Sequence, residues 1–226
     1  MARVVVPEYP HHVTQRGNRR QPVFLRDGDC ACYLTEMRTA CQRAGTRVLA
    51  YCLMPNHVHF VMIPQCDDGL RAAVADAHRR YTRSINFREG WRGHLWQERF
   101  HSVVMDEFHL QAAVPYVENN PVRAGLCALA AEWLWSSAAE SVAPCAHGLV
   151  DWNLRAYLLD HGPTAEPTRS HDPADEIRRH TRTGRPLGAP SFVDQLEAMT
   201  GRALAPRKPG PTRGGGGVAA SGAGSR

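Results

Sequence analysis

Two spacings of apolar residues alternate along the first 120 positions, one strand-like and one helical. His11–Arg16 is a short extended run closed by Gly17-Asn18, a turn pair. Residues 27–44 carry Tyr33, Leu34, Met37, Cys41 and Ala44 on one helical stripe, and Gly45 ends it. Residues 46–52 and 57–63 are β-rich runs joined by Leu53-Met54-Pro55-Asn56, which predicts an antiparallel hairpin. Residues 68–87 set Leu70, Val74, Ala77, Tyr81 and Ile85 at helical spacing, and Gly90 and Gly93 break the pattern. A further extended run falls within 95–105. Residues 106–119 read as a third helix, capped by Asp106 and stopped by Pro121. The order β-α-β-β-α-β-α predicts an α+β fold, a ferredoxin-like split βαβ antiparallel sheet with an added helix.

After residue 140 the texture changes. Residues 161–173 are rich in Pro, Thr, Ser and His and read as a linker. Two short helical pieces follow, over 175–180 and over 192–199, the second opened by Ser191 with Asp194 three residues on. From Arg207 through Gly214–Gly217 the chain reads as a disordered basic tail. The expected division is a main domain over 1–140, a connecting segment over 141–173, a helical accessory segment over 174–206 and the tail over 207–226.

Composition narrows the function classes. Of 226 residues, 43% are hydrophobic and 22% charged, enough for a core and against wholesale disorder. No apolar run approaches the roughly 20 residues of a membrane-spanning helix. The start, Met1 to Val6, is broken at Pro7 and is too short for a signal peptide, so the expected compartment is the cytoplasm. The seven cysteines form neither a disulfide ladder nor a zinc framework and read as reduced thiols. The net charge of +5 is concentrated late: residues 1–163 hold 17 Arg against 16 acids, and residues 164–226 hold ten basic residues against six acids. All basic residues but Lys208 are Arg. Coding bias accounts for much of that, but guanidinium forks also suit phosphate.

Two constellations could carry chemistry. On a strand, His57 and His59 project to one face while Val58 and Phe60 turn to the other, and two convergent imidazoles begin a divalent-metal site. Taken alone the pair is a weak signal and reads better as two surface histidines. In Tyr116-Val-Glu-Asn-Asn120-Pro, the phenol and the second amide lie at i and i+4 on a helix end. Tyr116 packing on a sheet and Asn120 capping a helix is the plainer alternative. Tyr81 lies on the apolar stripe of its helix and is assigned to core packing.

The pieces together resemble the HUH single-tyrosine transposases, and among them the REP-associated tyrosine transposases. The likeness rests on His12-Val-Thr-Gln-Arg-Gly-Asn18, Met54-Pro-Asn-His-Val-His59, Gly93-His-Leu-Trp-Gln-Glu-Arg-Phe100, Tyr116-Val-Glu-Asn-Asn-Pro-Val-Arg-Ala-Gly-Leu126 and Trp135-Ser-Ser137. It covers about residues 7–140. The resemblance implies that His57, His59 and Asn120 ligate Mg²⁺ or Mn²⁺ and that Tyr116 is the nucleophile. A metal-polarised phosphate and a phenol freed of its proton would give a 5′-phosphotyrosine, and no nucleotide cofactor is needed to rejoin the strand.

The implied partner is single-stranded or hairpin DNA from palindromic repeats. Arg16, Arg19 and Arg20 beside the first strand, and Arg79, Arg80 and Arg83 along the second helix, are the expected DNA contacts. Trp91, Trp96 and Phe100 are interleaved with Arg92 and Arg99 nearby. Residues 175–226 are expected to clamp DNA phosphates outside the active site. Pro115, just before the nucleophile, departs from an unbroken helix and keeps a second reading open, a hairpin-binding protein without cleavage. Monomer and homodimer both fit.

Overall fold

In this computed structural model, residues 3–143, 148–162 and 173–205 are described. The predicted rhythm folds into β1 (His11–Arg16), α1 (Asp29–Ala44), β2 (Thr46–Met54), β3 (His57–Pro64), α2 (Gly69–Glu89), β4 (His101–Val104) and α3 (Glu107–Glu118). The strands form one antiparallel sheet in the order β2-β3-β1-β4, the arrangement of a split βαβ sheet.

Period-two alternation sorts the strand residues onto two faces. Val13, Tyr51, Leu53, Val58, Phe60 and Met62 pack under α1 and α2 with Tyr33, Leu34, Leu70, Val74 and Ile85. Tyr81 lies in that core and donates its hydroxyl to the Val23 carbonyl at 2.7 Å, as its place on the helical stripe predicts. Ala50, Cys52, Val61, Ile63, Val103 and Met105 face the other way, against Leu110, Ala113, Val114 and Val117 of α3. The chain leaves β1 at Gly17, where a Cβ would strike the Gln21 carbonyl and come within 2.6 Å of Val23 Cγ1. Arg19 and Arg20 then take left-handed φ values of 53° and 62°.

Some boundaries differ from the sequence reading. The first helix starts at Asp29, because Gly28 takes a left-handed φ of 88° just before it. Only His101–Val104 of the run within 95–105 is strand; Trp96 and Phe100 before it are buried in the α1–α2 core. Asp106 does cap α3, accepting from the His109 N–H at 2.9 Å.

After α3 come four short helices and turns that periodicity does not reveal: α4 (Asn120–Arg123), a 3₁₀ turn at Ala130–Glu132, α5 (Ser137–Val142) and α6 (Trp152–His161). Two more helices follow, α7 (Pro173–Thr183) and α8 (Pro190–Thr200). Ala189, not Ser191, sits at the N-cap of α8, with Pro190 in the first turn. Most of the predicted linker and all of the predicted tail over 207–226 lie outside the described residues.

The helices of the segment expected over 174–206 pack directly on the sheet and on α3. Leu187 bridges to Met105 beside β4, its N–H donating to the Val104 carbonyl at 2.9 Å. Ile177 and Leu187 join the α3 core, while Phe192, Leu196 and Leu204 bury Val4, Val6 and Val104. Hydrophobic burial against an otherwise open edge strand holds these helices to the sheet.

Leu196 is fully buried in this cluster. Leu196→Ala is expected to lower the unfolding free energy by about 3 kcal/mol, the ordinary cost of a leucine-sized cavity. Urea unfolding of the full chain measures it, and a loss near zero would mean that α8 is not part of the folded core.

Candidate active site

The α3 face of the sheet carries a cleft of about 700 Å³. His57 and His59 project into it from β3, with Thr14 and Arg16 from β1 opposite them in the register Thr14↔His59 and Arg16↔His57. His12, two residues back on β1, stacks on His59 with ring centroids 5.2 Å apart. The His57 and His59 rings lie 5.0 Å apart, edge to face.

Tyr116 reaches the same cleft from α3, its ring 6.1 Å from that of His59 and 5.7 Å from that of His12. Pro115 leaves α3 intact from Glu107 to Glu118, and the Asn119 N–H still closes onto the Pro115 carbonyl at 2.9 Å. The end of the helix is pinned by Glu118. Its buried carboxylate accepts from Arg155 and from the Ser137 hydroxyl, each at 2.6 Å, and Arg155 also reaches the Leu49 carbonyl of β2. A paired, hydrogen-bonded charge of this kind fixes an element in register more than it adds stability.

Positive charge surrounds the phenol. The Arg123 guanidinium lies 4.2 Å over the Tyr116 ring and donates to its backbone carbonyl at 2.6 Å. Arg178 of α7 lines the same cleft and donates to Asp175 at 2.6 Å, and Asp175, then Tyr116, raise its own pKa.

The histidines are held neutral. Burial, then Arg16, pushes His57 down to about 4. Burial, then Arg123, does the same to His12. His59 falls well below the ordinary imidazole range through burial first, then the neighbouring imidazoles and arginines. Neutral imidazoles are the form that binds metal.

The donor set fits a divalent cation of modest affinity. Asn56 donates its Nδ2 to the Arg20 carbonyl, so its Oδ1 accepts from His57 Nδ1 at 2.7 Å and leaves His57 Nε2 bare. Asn120 spends its Nδ2 on the Tyr116 and Val117 carbonyls, which leaves its Oδ1 as a donor. Among the described residues no group of three or more His, Cys, Asp or Glu converges as a metal cage. Two imidazoles and one amide oxygen are the donors at hand.

The model of the family described as "Transposase IS200 like" matches residues 5–120, over half of the chain. The chain belongs to that transposase family. A Haemophilus influenzae protein named as a REP-associated tyrosine transposase is 27% identical over 120 residues, 46% of this chain and 68% of its own. A solved structure of a REP-associated tyrosine transposase bound to a REP hairpin superposes with a TM-score of 0.52 at 18% identity, covering 76% of this chain and 94% of that one. The resemblance read from the motifs is borne out, and so is the mixed helix and four-stranded antiparallel fold.

In this transposase the predicted residues divide. His57, His59, Tyr116, Asn120, Arg16 and Arg20 all line the cleft. Arg79 and Arg83 lie on the far side of the sheet, along a second groove of about 770 Å³ with Phe87 and Trp91. Arg79 and Arg80 pair with Asp76, and Arg19 lines a third depression with Trp91 and Arg92. No helix among the described residues is long and apolar enough to cross a membrane.

Sequence reasoning missed His12, Arg123, Arg178 and Thr181 as cleft neighbours. Period two from Thr14 places His12 on the right face, and Arg123 follows Tyr116 by seven residues, two helical turns. No local signal marks the two residues on α7.

Four imidazoles are held neutral by burial, His11, His12 and His57 down to about 4 and His78 to about 3. Below the ordinary value of about 6.5, the unfolded chain takes up protons that the folded one refuses, so stability falls as pH drops from 6.5 towards 4. The expected loss is about 2 kcal/mol per histidine by pH 5. Urea denaturation of the metal-free protein between pH 8 and pH 5 tests this, and a flat profile would count against neutral, buried imidazoles.

Proposed function

We propose that this transposase is a metal-dependent, single-strand-specific DNA endonuclease and strand transferase. It acts on hairpin-bearing DNA through a 5′-phosphotyrosine on Tyr116. The observation that carries the reading is one cleft in which Tyr116, with Arg123 over its ring and Arg178 in the same lining, meets the His57–His59 pair and Asn120. The solved relative bound to a REP hairpin supports DNA of that shape as the substrate.

His57 Nε2, His59 Nε2 and Asn120 Oδ1 would hold Mg²⁺ or Mn²⁺, hard cations that accept imidazole and amide oxygen. When bound, the cation supplies charge neutralisation at the scissile phosphate. The chain's own residues do the rest. Arg123 and Arg178 stabilise negative charge on the phenol oxygen as its proton leaves to solvent. That oxygen bonds to phosphorus while the bond from phosphorus to the 3′-oxygen breaks, and the 3′-oxygen takes up a proton as a free hydroxyl. The phosphotyrosine keeps the phosphodiester linkage energy, so attack by another 3′-hydroxyl reverses the step and joins strands.

Arg16 and Arg20 at the cleft, with Arg182 of α7, bind phosphates next to the cut. Arg79 and Arg83, beside the exposed Phe87 and Trp91, form a second contact on the opposite face, where unpaired bases stack. Arg19 and Arg80 contribute charge at the margins of these surfaces.

Tyr116→Phe removes one oxygen and keeps the ring under Arg123. Mixed with Mn²⁺ and a labelled single-stranded hairpin, the wild-type protein is expected to give a protein-linked band on a denaturing gel. The variant should lose that band, a drop of at least 10³-fold, while retaining the native-gel shift. An adduct that survives in Tyr116→Phe would move the nucleophile elsewhere. A native-gel shift without any wild-type adduct would leave a hairpin-binding protein.

A further inference from the structure

His59 differs from His57 in what orients it. His57 is held by its chain neighbour Asn56, whereas His59 is held through two other elements of the fold. Its Nδ1 lies 3.0 Å from Nε2 of His12 on β1, and His12 Nδ1 lies 3.1 Å from the Thr181 hydroxyl on α7. The Thr181 hydroxyl in turn donates to the Ile177 carbonyl at 2.7 Å, one helical turn back.

Two proton assignments satisfy the histidine contacts of this line, and the short Thr181–Ile177 contact selects one. A threonine hydroxyl has a single hydrogen, and assigning it to Ile177, at 2.7 Å the shorter of its two contacts, leaves the oxygen to accept from His12. His12 Nδ1 therefore carries the proton. In neutral His12 the other nitrogen, Nε2, is an acceptor, so His59 Nδ1 must be the donor. That leaves the His59 Nε2 lone pair unprotonated.

We infer that Thr181 and His12 are positioning residues that lock His59 into the tautomer protonated on Nδ1, so that its Nε2 lone pair faces the cleft as a ligand. The use of that lone pair rests on the proposed metal-dependent reading; the relay itself rests on the hydrogen-bond geometry. Partners one step removed from a metal fix the orientation and basicity of its imidazole ligands, and their loss costs 10- to 100-fold in affinity. The last donor in this line is Thr181 on α7, 169 residues beyond His12 in the chain.

Removing the acceptor should reverse the line. With valine at 181, a proton on His12 Nδ1 would be buried without a partner, a cost of about 1–3 kcal/mol. His12 then takes its proton on Nε2 and donates to His59 Nδ1, which forces the His59 proton onto the ligand nitrogen Nε2.

The test uses the full chain labelled with ¹⁵N-histidine and free of metal. Long-range ¹⁵N–¹H correlation spectra should show wild-type His59 protonated on Nδ1, Thr181→Val on Nε2, and Thr181→Ser on Nδ1 again, because serine restores the acceptor. Mn²⁺ affinity, read from the electron paramagnetic resonance of the free ion, should fall 10- to 100-fold in Thr181→Val and recover in Thr181→Ser. Wild-type His59 protonated on Nε2 overturns the inference without any variant, which covers a Thr181→Val protein that does not fold. A folded Thr181→Val that keeps both the wild-type tautomer and the wild-type affinity overturns it too. If the tautomers switch as expected but the wild type takes up no Mn²⁺, the relay stands and the metal-dependent reading falls.

Discussion

The register between β1 and β3 is the constraint on which the site depends. It sets Val13 against Phe60 and Thr14 against His59, so that apolar side chains turn to α1 and α2 while His12, His57 and His59 turn to the other face. A slip of one residue would exchange the two sets, driving imidazoles into the α1–α2 core and exposing Val58, Phe60 and Met62. Burial of those three residues therefore fixes the chemistry indirectly, and the histidines themselves have little say in the pairing.

The second support is the end of α3. Apolar packing on Ala50, Val61 and Ile63 sets the depth of the helix, but such contacts alone tolerate sliding and rotation. Glu118 removes that freedom, because its carboxylate has to meet both Arg155 and Ser137. Tyr116 stands two residues earlier on the same turn. Its aim at the imidazoles is thus tied to a polar clamp on the flank of the helix, and Pro115 is accommodated because the hydrogen bonds that follow it are intact.

Much of this was legible in the sequence. The helical stripes gave α1 and α2 to within two residues, and period two put His57 and His59 on one face opposite Val58 and Phe60. Helical spacing set Tyr116 and Asn120 side by side. The failures share a cause. Residues 95–100 look extended by composition but are held in place by the burial of Trp96 and Phe100, a tertiary effect that no local pattern records. The polar, Arg-rich face of α7 suggests a free appendage, because few apolar residues show what it packs on. Ile177 and Leu187 are that anchor, and two positions in a charged stretch are too few to read.

The docking of α7 also sets an order of events for a newly made chain. The sheet, the paired histidines and Tyr116 all emerge before residue 121, and the hairpins and helices that organise them are local. Thr181 and Arg178 follow far along the chain and complete the lining of the cleft by long-range packing. Because domains fold progressively from the N-terminus during synthesis, the chain passes through a stage in which Tyr116 is in place and its surroundings on α7 are not. The cleft is therefore finished only once α7 has been made, and a chain cut short before α7 carries the whole segment that the family model matches without that side of the cleft.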